Sequence, residues 1–368
     1  MKIAQIAPPW IRIPPKNYGG AEQVINALVE EQVAQRHEVT LFATGDAQTS
    51  AKLVSYFPEA LNASKVPWAA HLKPYYHLIS ALEQAKDFDI IHTHLSSSSD
   101  LYIFPLTARL QTPHITTLHS HFPFDRVQNW IGDADSYFLE KWGASVPCVT
   151  ISEQERKNIP EHLQIIGVVY NGLAIHNYPL KERKRDTILV WLGRFTPEKG
   201  VHLAIEAAKR AHMPLVLAGT IDRYHQESLH YFRKQIEPTI DNEQVKYIGP
   251  VNLQEKCRLL NRAYGFLNPI EWEEPFGMVM IEAMAMGCPV ISFNRGAAPE
   301  LIIEGKTGFL VDTLDEMVET IPKIAHIDRK EARRHIEEHF SASAMARNYE
   351  RLYQQIRGEK PLEATVNA

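Results

Sequence analysis

Two glutamates, Glu274 and Glu282, stand eight positions apart around the stretch PFGMVMI. Glu274 lies in a loop rich in proline and glutamate, NPIEWEEP over 268–275. Glu282 falls in the second turn of a helix that the spacing of Met278, Ile281, Met284 and Ala285 predicts from Gly277 onward. Between the two acids, the amides of Phe276, Gly277, Met278 and Val279 form the start of that helix. Such an end has N–H groups without intrahelical partners and a partial positive charge, so it accepts phosphate oxygens. A carboxylate on each side accepts hydrogen bonds from hydroxyls, and a nucleotide sugar carries hydroxyls on both sides of its diphosphate. A plainer alternative is that acids near a first helical turn simply suit the helix dipole.

Two cations belong with this chemistry. Arg194 and Lys199 sit in LGRFTPEKG (192–200), directly after an apolar run that reads as a strand. Ligands bind at the C-terminal ends of strands in open α/β sheets. An arginine there gives a two-pronged contact to a diphosphate and a lysine a point charge. Lys199 beside a helix start is otherwise unfavourable, because a cation there opposes the dipole. The alternative is a surface arginine and a helix-start lysine. His119 closes a strand read over 114–119, again at its C-terminal end. His92 and His94 share one strand face, but no carboxylate or cysteine stands at a ligand spacing, so buried histidines are expected rather than a metal site.

The elements that must hold these residues alternate between strands and helices. Residues 2–7, 37–44, 88–95, 114–120, 147–152 and 164–172 read as strands of a first half. Gly19-Gly20 precedes an amphipathic helix after the first of them. The second half repeats the logic with strands near 187–194, 214–220, 244–251, 264–269 and 290–293, and helices near 200–211, 226–236, 252–262 and 277–286. The charged run KERKRD (181–186) marks a linker between the halves. Helices from about 314 to 357 and a short tail end the chain. Such alternation indicates parallel sheets covered on both faces.

Asp87-Phe88-Asp89 and Asp133-Ala134-Asp135 spell D-x-D, but both read as turns away from the expected site. Gly305-Lys306-Thr307 ends like a phosphate-binding loop, yet position 300 is Glu where that motif needs Gly, and it reads as a hairpin turn.

E-x7-E set in EPFGMVMIEAMAMGCPVI, together with GRFTPEKG, closely resembles the retaining GT-B glycosyltransferases of family 4 (glycosyl transferases group 1). The resemblance covers nearly the whole chain. It implies two Rossmann-like α/β domains with parallel sheets facing an interdomain cleft. Residues 1–172 would bind the acceptor and 173–340 the nucleotide sugar, and the terminal helix within 341–368 would cross back to the first domain. By the same resemblance Glu274 contacts the transferred sugar, Glu282 the ribose, and amides near Gly277 the phosphates. Arg194 and Lys199 neutralise the leaving diphosphate, and His119 meets the donor sugar. Gly19 and Gly20 lie in the loop that faces phosphates and acceptor, and backbone near Gly249 and Val251 lines the base pocket. Ser120-His121 departs from the family's Asp or Gly after the histidine, so His121 is left out of the catalytic set.

The implied reaction moves a sugar from a UDP- or GDP-sugar to the hydroxyl of a small-molecule, glycan or lipid-linked acceptor, with retention and without a metal or other cofactor. An epimerase or hydrolase acting on the same donor, and a non-catalytic nucleotide-sugar binder, are the rival readings. A chain of 368 residues exceeds one core, and its net charge of −5 argues against nucleic acid as a partner. Residues 1–170 carry 13 Lys and Arg against 17 Asp and Glu, so charge does not indicate the membrane association that a lipid-linked acceptor leaves open. Three scattered cysteines, no signal-peptide pattern at MKIAQIAPPW and no apolar run of spanning length point to the cytoplasm. Trp10, Trp68, Tyr75 and Tyr76 could stack on a soluble acceptor, although core packing is their commoner fate.

Overall fold

The computed structural model describes residues 1–16, 19–68, 70–120, 134–181, 185–221 and 226–359. His121, Asp133 and residues 182–184 of the charged run lie outside these, as does the tail from 360. The chain divides into two compact units, Met1–Gly172 with Ala342–Ala368, and Leu173–Ser341.

The first unit is built from β1 (Lys2–Ile6), α1 (Gly20–Ala34), β2 (Glu38–Phe42), β3 (Lys52–Val54), α2 (Leu72–Leu82), β4 (Ile90–Leu95), α3 (Ile103–Thr107), β5 (His114–Leu118), α4 (Ala134–Trp142), β6 (Cys148–Thr150), α5 (Glu153–Asn158) and β7 (Ile165–Val168). Its seven strands run in the order β3-β2-β1-β4-β5-β6-β7, all parallel. β4 is buried at every position, as a strand covered on both faces must be.

The second unit holds β8 (Leu189–Arg194), α6 (Val201–Arg210), β9 (Leu215–Thr220), α7 (Gln226–Tyr231), β10 (Val245–Tyr247), α8 (Leu253–Arg262), β11 (Gly265–Asn268), α9 (Met278–Ala285), β12 (Val290–Phe293), α10 (Ala298–Leu301), β13 (Gly308–Val311), α11 (Leu314–Thr320) and α12 (Arg329–His339). Its six parallel strands run β10-β9-β8-β11-β12-β13. This is the doubly wound order of a Rossmann sheet, and the first six strands of the first unit repeat it. In each sheet the order reverses beside the first strand, between β1 and β4 and between β8 and β11. Doubly wound sheets bind ligands at that reversal, outside the strands' C-terminal ends.

The last helix, α13 (Ala342–Ile356), belongs to the first unit. Its Tyr353 hydroxyl accepts hydrogen bonds from Gln5 on β1 and Gln32 on α1, and Tyr349 bonds Thr117 on β5. Phe340 and Ser341, just before it, stay with the second unit through a backbone bond from Leu173 to Phe340 and a bridge between Leu173 and Ser341.

Three sequence expectations fail. Ala134 and Asp135 begin α4 rather than sitting in a turn, and the charged run at 181–186 falls within the second unit rather than between the two. Gly305-Lys306-Thr307 is a turn between α10 and β13, and β13 runs parallel to β12, so no hairpin forms there. Glycine and lysine in a short polar run signal the turn, but turn residues do not say which way the next strand points. Elsewhere the strand at 244–251 shortens to Val245–Tyr247, leaving Gly249 and Val251 in the loop beyond β10.

Candidate active site

In the second unit, the two strands that flank the reversal each deliver one charged residue to the same place. β8 ends on Arg194, and a 3-10 turn at Pro197–Lys199 comes next. Gly200 then takes a left-handed φ of 65°, and a Cβ there would stand 1.7 Å from the Pro269 carbonyl oxygen. Only glycine lets the turn after β8 press this closely on the loop after β11. A backbone bond from Glu271 to the Glu198 carbonyl, 2.8 Å, fixes the two loops together.

That contact places Lys199 Nζ on Glu274 Oε2 in a direct ion pair, with both side chains mostly buried. The same ammonium lies 4.8 Å above the Trp272 ring, and Trp272 Nε1 donates to Glu274 Oε2 at 2.9 Å. The Glu274 backbone is gripped as well: its carbonyl accepts from Ala297 at 2.9 Å, and Gly296 donates to neighbouring Glu273 at 2.8 Å. The Glu274 carboxylate therefore has two partners holding its orientation before any substrate arrives.

Three residues beyond Glu274, Gly277 caps α9 with φ 98° and ψ 59°. A side chain would be strained there, and a Cβ would lie 2.3 Å from Met280 Cε and 3.8 Å from Glu274 Cγ. The helix thus begins one residue later than the sequence pattern suggests, at Met278, and Gly277 is its cap. Phe276 is buried at 2% exposure, packing its ring edge-on at 6.1 Å from Phe340. Met278 and Val279 are the first helical residues, so their amides lie in the turn that lacks intrahelical acceptors. From Met280 to Ala285 every residue of α9 is buried, which explains a helix that is apolar almost all round.

Glu282 is the polar exception on that helix, 2% exposed. Its Oε1 accepts from the Tyr178 hydroxyl at 2.8 Å and from Lys256 Nζ on α8 at 2.5 Å. A buried carboxylate needs such a counter-ion and donor, since desolvating it alone is costly. Tyr178 is itself 1% exposed, and its carbonyl is bonded by Arg333 of α12. Sequence reasoning missed Tyr178 and Lys256. Lys256 sits among exposed polar residues of an amphipathic helix, and nothing in its own surroundings marks it out.

Gly249, φ 81°, and Val251 stand in the loop between β10 and α8, and the Gly249 carbonyl accepts from Gly219 at the end of β9. Asn252 then starts α8 with a reciprocal capping box to Glu255. The second unit thus gathers Lys199, Glu274 and Gly277 at one point, with Arg194 at the end of the adjoining strand. Glu282 stands one turn into the same helix, in its own contact set.

The first unit carries the remaining sequence candidates. Gly19 caps α1 and Gly20 begins it, beyond β1. Glu22 in that first turn is 4% exposed, and burial pushes its carboxyl up to about 7, with Asp100 adding repulsion. Asp100 is likewise pushed up by burial, to about 6, although its carboxylate takes hydrogen bonds from Ser96 and Ser97. His119 comes directly after β5; its amide donates to Leu95 and its Nε2 lies 2.9 Å from His94 Nδ1. Burial lowers its pKa to about 4, so the ring is neutral. His92 and His94 are buried and bonded to hydroxyl, amide and ring partners. Among the described residues, no group of three His, Cys, Asp or Glu is placed to hold a metal, and no helix is long and apolar enough to cross a membrane. Trp10 is buried with its indole donating to Ser99, so it belongs to the core; Trp68 lies against it at 4.3 Å and is 41% exposed.

Comparisons with known proteins agree with this architecture. Residues 18–176 match the family model of glycosyltransferase family 4, and residues 176–340 that of glycosyl transferases group 1. The chain is 24% identical to spore coat protein SA of Bacillus subtilis, over 97% of this chain and 100% of that one. It is 23% identical to the O-antigen chain mannosyltransferase C of Escherichia coli, over 92% and 95%. Among solved structures, sucrose-phosphate synthase of Thermosynechococcus elongatus superposes with a TM-score of 0.76 at 20% identity, covering 97% of this chain and 99% of that one. Anabaena HepE, solved in complex with UDP, gives 0.70 at 18% identity, covering 96% and 100%. Two Rossmann sheets, a glutamate on each side of a glycine-capped helix start, and two consecutive family matches spanning 18–340 identify the chain as a glycosyltransferase of the GT-B, group 1 and family 4 type.

Proposed function

We propose that the enzyme transfers a sugar from a nucleotide diphosphate sugar, a UDP- or GDP-sugar, to an acceptor hydroxyl with retention at the anomeric carbon and without a metal. The observation that carries this reading is the Lys199–Glu274 pair, seated beside the Gly277 cap at the reversal point of the second sheet. A diphosphate is a better partner for Lys199 than one carboxylate, because it offers several anionic oxygens. Donor binding then draws Lys199, with Arg194, onto the phosphates, while the amides at the start of α9 take further phosphate oxygens. Glu274, released from the ammonium but still held by Trp272, accepts hydrogen bonds from hydroxyls of the transferred sugar. Glu282 accepts from the ribose, and backbone around Gly249 and Val251 meets the base. The second unit is thereby the donor unit and the first receives the acceptor, with Gly19 and Gly20 in its phosphate-facing loop and His119 bonded to a sugar hydroxyl.

In the chemical step the bond between the anomeric carbon and the diphosphate oxygen breaks, and a bond from that carbon to the acceptor oxygen forms on the same face. The acceptor proton passes to the departing phosphate oxygen. Arg194, Lys199 and the helix N-terminus stabilise the negative charge that develops there. A structural neighbour bound to UDP supports a uridine donor. The test is a thermal-shift panel of UDP-, GDP- and ADP-sugars, since a ligand bound only by the folded state raises the melting point. NMR of the product made from the stabilising donor then reads the anomeric configuration. Inversion, or turnover lost on adding EDTA and restored by Mg²⁺, overturns the mechanism.

A further inference from the structure

Three histidines and two tyrosines of the first unit form one continuous hydrogen-bonded chain, and its proton directions can be worked out. Tyr353 on α13 lies at the centre. Its hydroxyl meets Gln5 Nε2 at 3.2 Å, Gln32 Nε2 at 3.1 Å and His92 Nδ1 at 2.8 Å. Amide N–H groups only donate, so the hydroxyl accepts twice and its single proton goes to His92 Nδ1. His92 therefore carries its proton on Nε2 and donates to Thr117 Oγ1 at 2.7 Å, which leads on to Tyr349 at 2.8 Å.

On the other side Gln5 Nε2 also donates to Gln32 Oε1 at 2.8 Å, which leaves Gln5 Oε1 to face His94 Nε2 at 2.8 Å. A carbonyl oxygen only accepts, so His94 is protonated on Nε2 and its Nδ1 is a lone pair. That lone pair faces His119 Nε2 at 2.9 Å, so His119 must be the donor. Reversing the sense requires both glutamines to flip. The two amide oxygens would then face the Tyr353 hydroxyl, which has one proton for both. Gln5, Gln32, His92, His94, Thr117, Tyr349 and Tyr353 are all at most 2% exposed, so bulk solvent does not reach the group to repair the deficit. Burial also holds all three rings neutral, lowering each below the usual histidine range.

We propose that Tyr353, Gln5 and His94 are positioning residues that lock His119 as its Nε2–H tautomer, leaving Nδ1 as a hydrogen-bond acceptor for a sugar hydroxyl. No hydrogen bond within the described residues engages that Nδ1. The terminal helix is then part of the catalytic apparatus. It reaches His119 through three successive hydrogen bonds of fixed polarity, by way of Gln5 and His94, rather than by contact. The sugar part of this inference rests on the proposed function; the tautomer does not.

The experiment is a long-range proton–nitrogen correlation spectrum of the full chain labelled with ¹⁵N-histidine, at pH 7 and without substrate, with His119 assigned by its loss in His119→Gln. The expected result is a protonated Nε2 and an unprotonated Nδ1 on His119. An Nδ1–H tautomer or a charged ring overturns the proposal. In Tyr353→Phe, which removes the acceptor of both amides, a measurable share of the Nδ1–H form is expected; an unchanged tautomer in a folded variant also overturns it. If that variant does not fold, the wild-type spectrum still decides. The sugar contact fails separately, when His119→Ala retains full donor turnover.

Discussion

At the reversal point of the second sheet stand fixed charges in pairs, Lys199 with Glu274 and, one turn along α9, Lys256 with Glu282. At the corresponding point of the first sheet stand neutral rings, serines, and two carboxyls that burial pushes toward protonation. The strand orders are the same, so the difference lies in the loops at the strand ends. After β8 and β11 come loops whose glycines permit close approach and whose acids and lysines face one another. After β4 and β5 come serines and a histidine. The same strand order carries paired charges at one reversal point and mainly neutral hydrogen-bonding groups at the other, because the residues grafted on the sheet differ while the sheet does not.

The contrast is broken most sharply at Glu274. Glu274→Ala removes the oriented carboxylate and, among the described residues, leaves the Lys199 ammonium with only the Trp272 ring. Transfer is expected to fall by about 10²–10³-fold, the range for losing one preorganised polar contact, with the melting point held within a few degrees. Full activity in the purified, folded variant sinks the donor site. Next in size is Lys256→Met. It strands a carboxylate that is 2% exposed, and removing one partner of a buried pair costs about 3–5 kcal/mol. Denaturant melts of Lys256→Met, Glu282→Gln and the double variant should show the double costing much less than the sum of the singles. Additive costs mean that the pair is not coupled.

Much of this was legible in the sequence, and the part that escaped has a physical reason. Glu274, Glu282, Arg194 and Lys199 announce themselves because each sits beside a local signal: a glycine-capped helix or a strand end. Periodicity likewise marks the strands around them. Lys256 and Tyr178 do not, because their meaning lies in a partner 26 or 104 positions away. The His119 relay is harder still, joining Gln5 to Tyr353 across 348 positions. His92 and His94 read as buried histidines, which they are, but no local pattern says that a terminal helix supplies the donor to His92. Trp272 was within reach, two residues from Glu274 in a loop where a large aromatic needs a purpose.

Smaller effects sharpen the neutral half of the comparison. Tyr353→Phe leaves two buried amides short of an acceptor and should cost about 2 kcal/mol in an equilibrium melt. A cost near zero means that the relay is not satisfied in solution. Glu22→Gln tests the raised carboxyl. Its folded pKa of about 7 lies above the ordinary value of 4.5, so the native state binds the extra proton. Its contribution is complete below about 4.5 and is lost as pH rises through 7. The variant should therefore gain on the order of 2 kcal/mol over wild type at pH 8 relative to pH 5, because the amide does not titrate and its own desolvation cost is the same at both pH values. The histidines act oppositely: with His119 lowered from 6.5 to about 4, stability is lost as pH falls below 6.5. No difference between pH 5 and pH 8 for Glu22→Gln places the carboxyl in contact with solvent.

The claim that the reversal point of the second sheet grips a nucleoside diphosphate is tested most directly by calorimetric titration of UDP, GDP and ADP into wild type and Lys199→Met. One of the three should bind the wild type, and the variant should bind it about ten- to a hundredfold more weakly, as expected for losing one charge-assisted contact. Failure of all three to bind, or an affinity unchanged in Lys199→Met, contradicts the account.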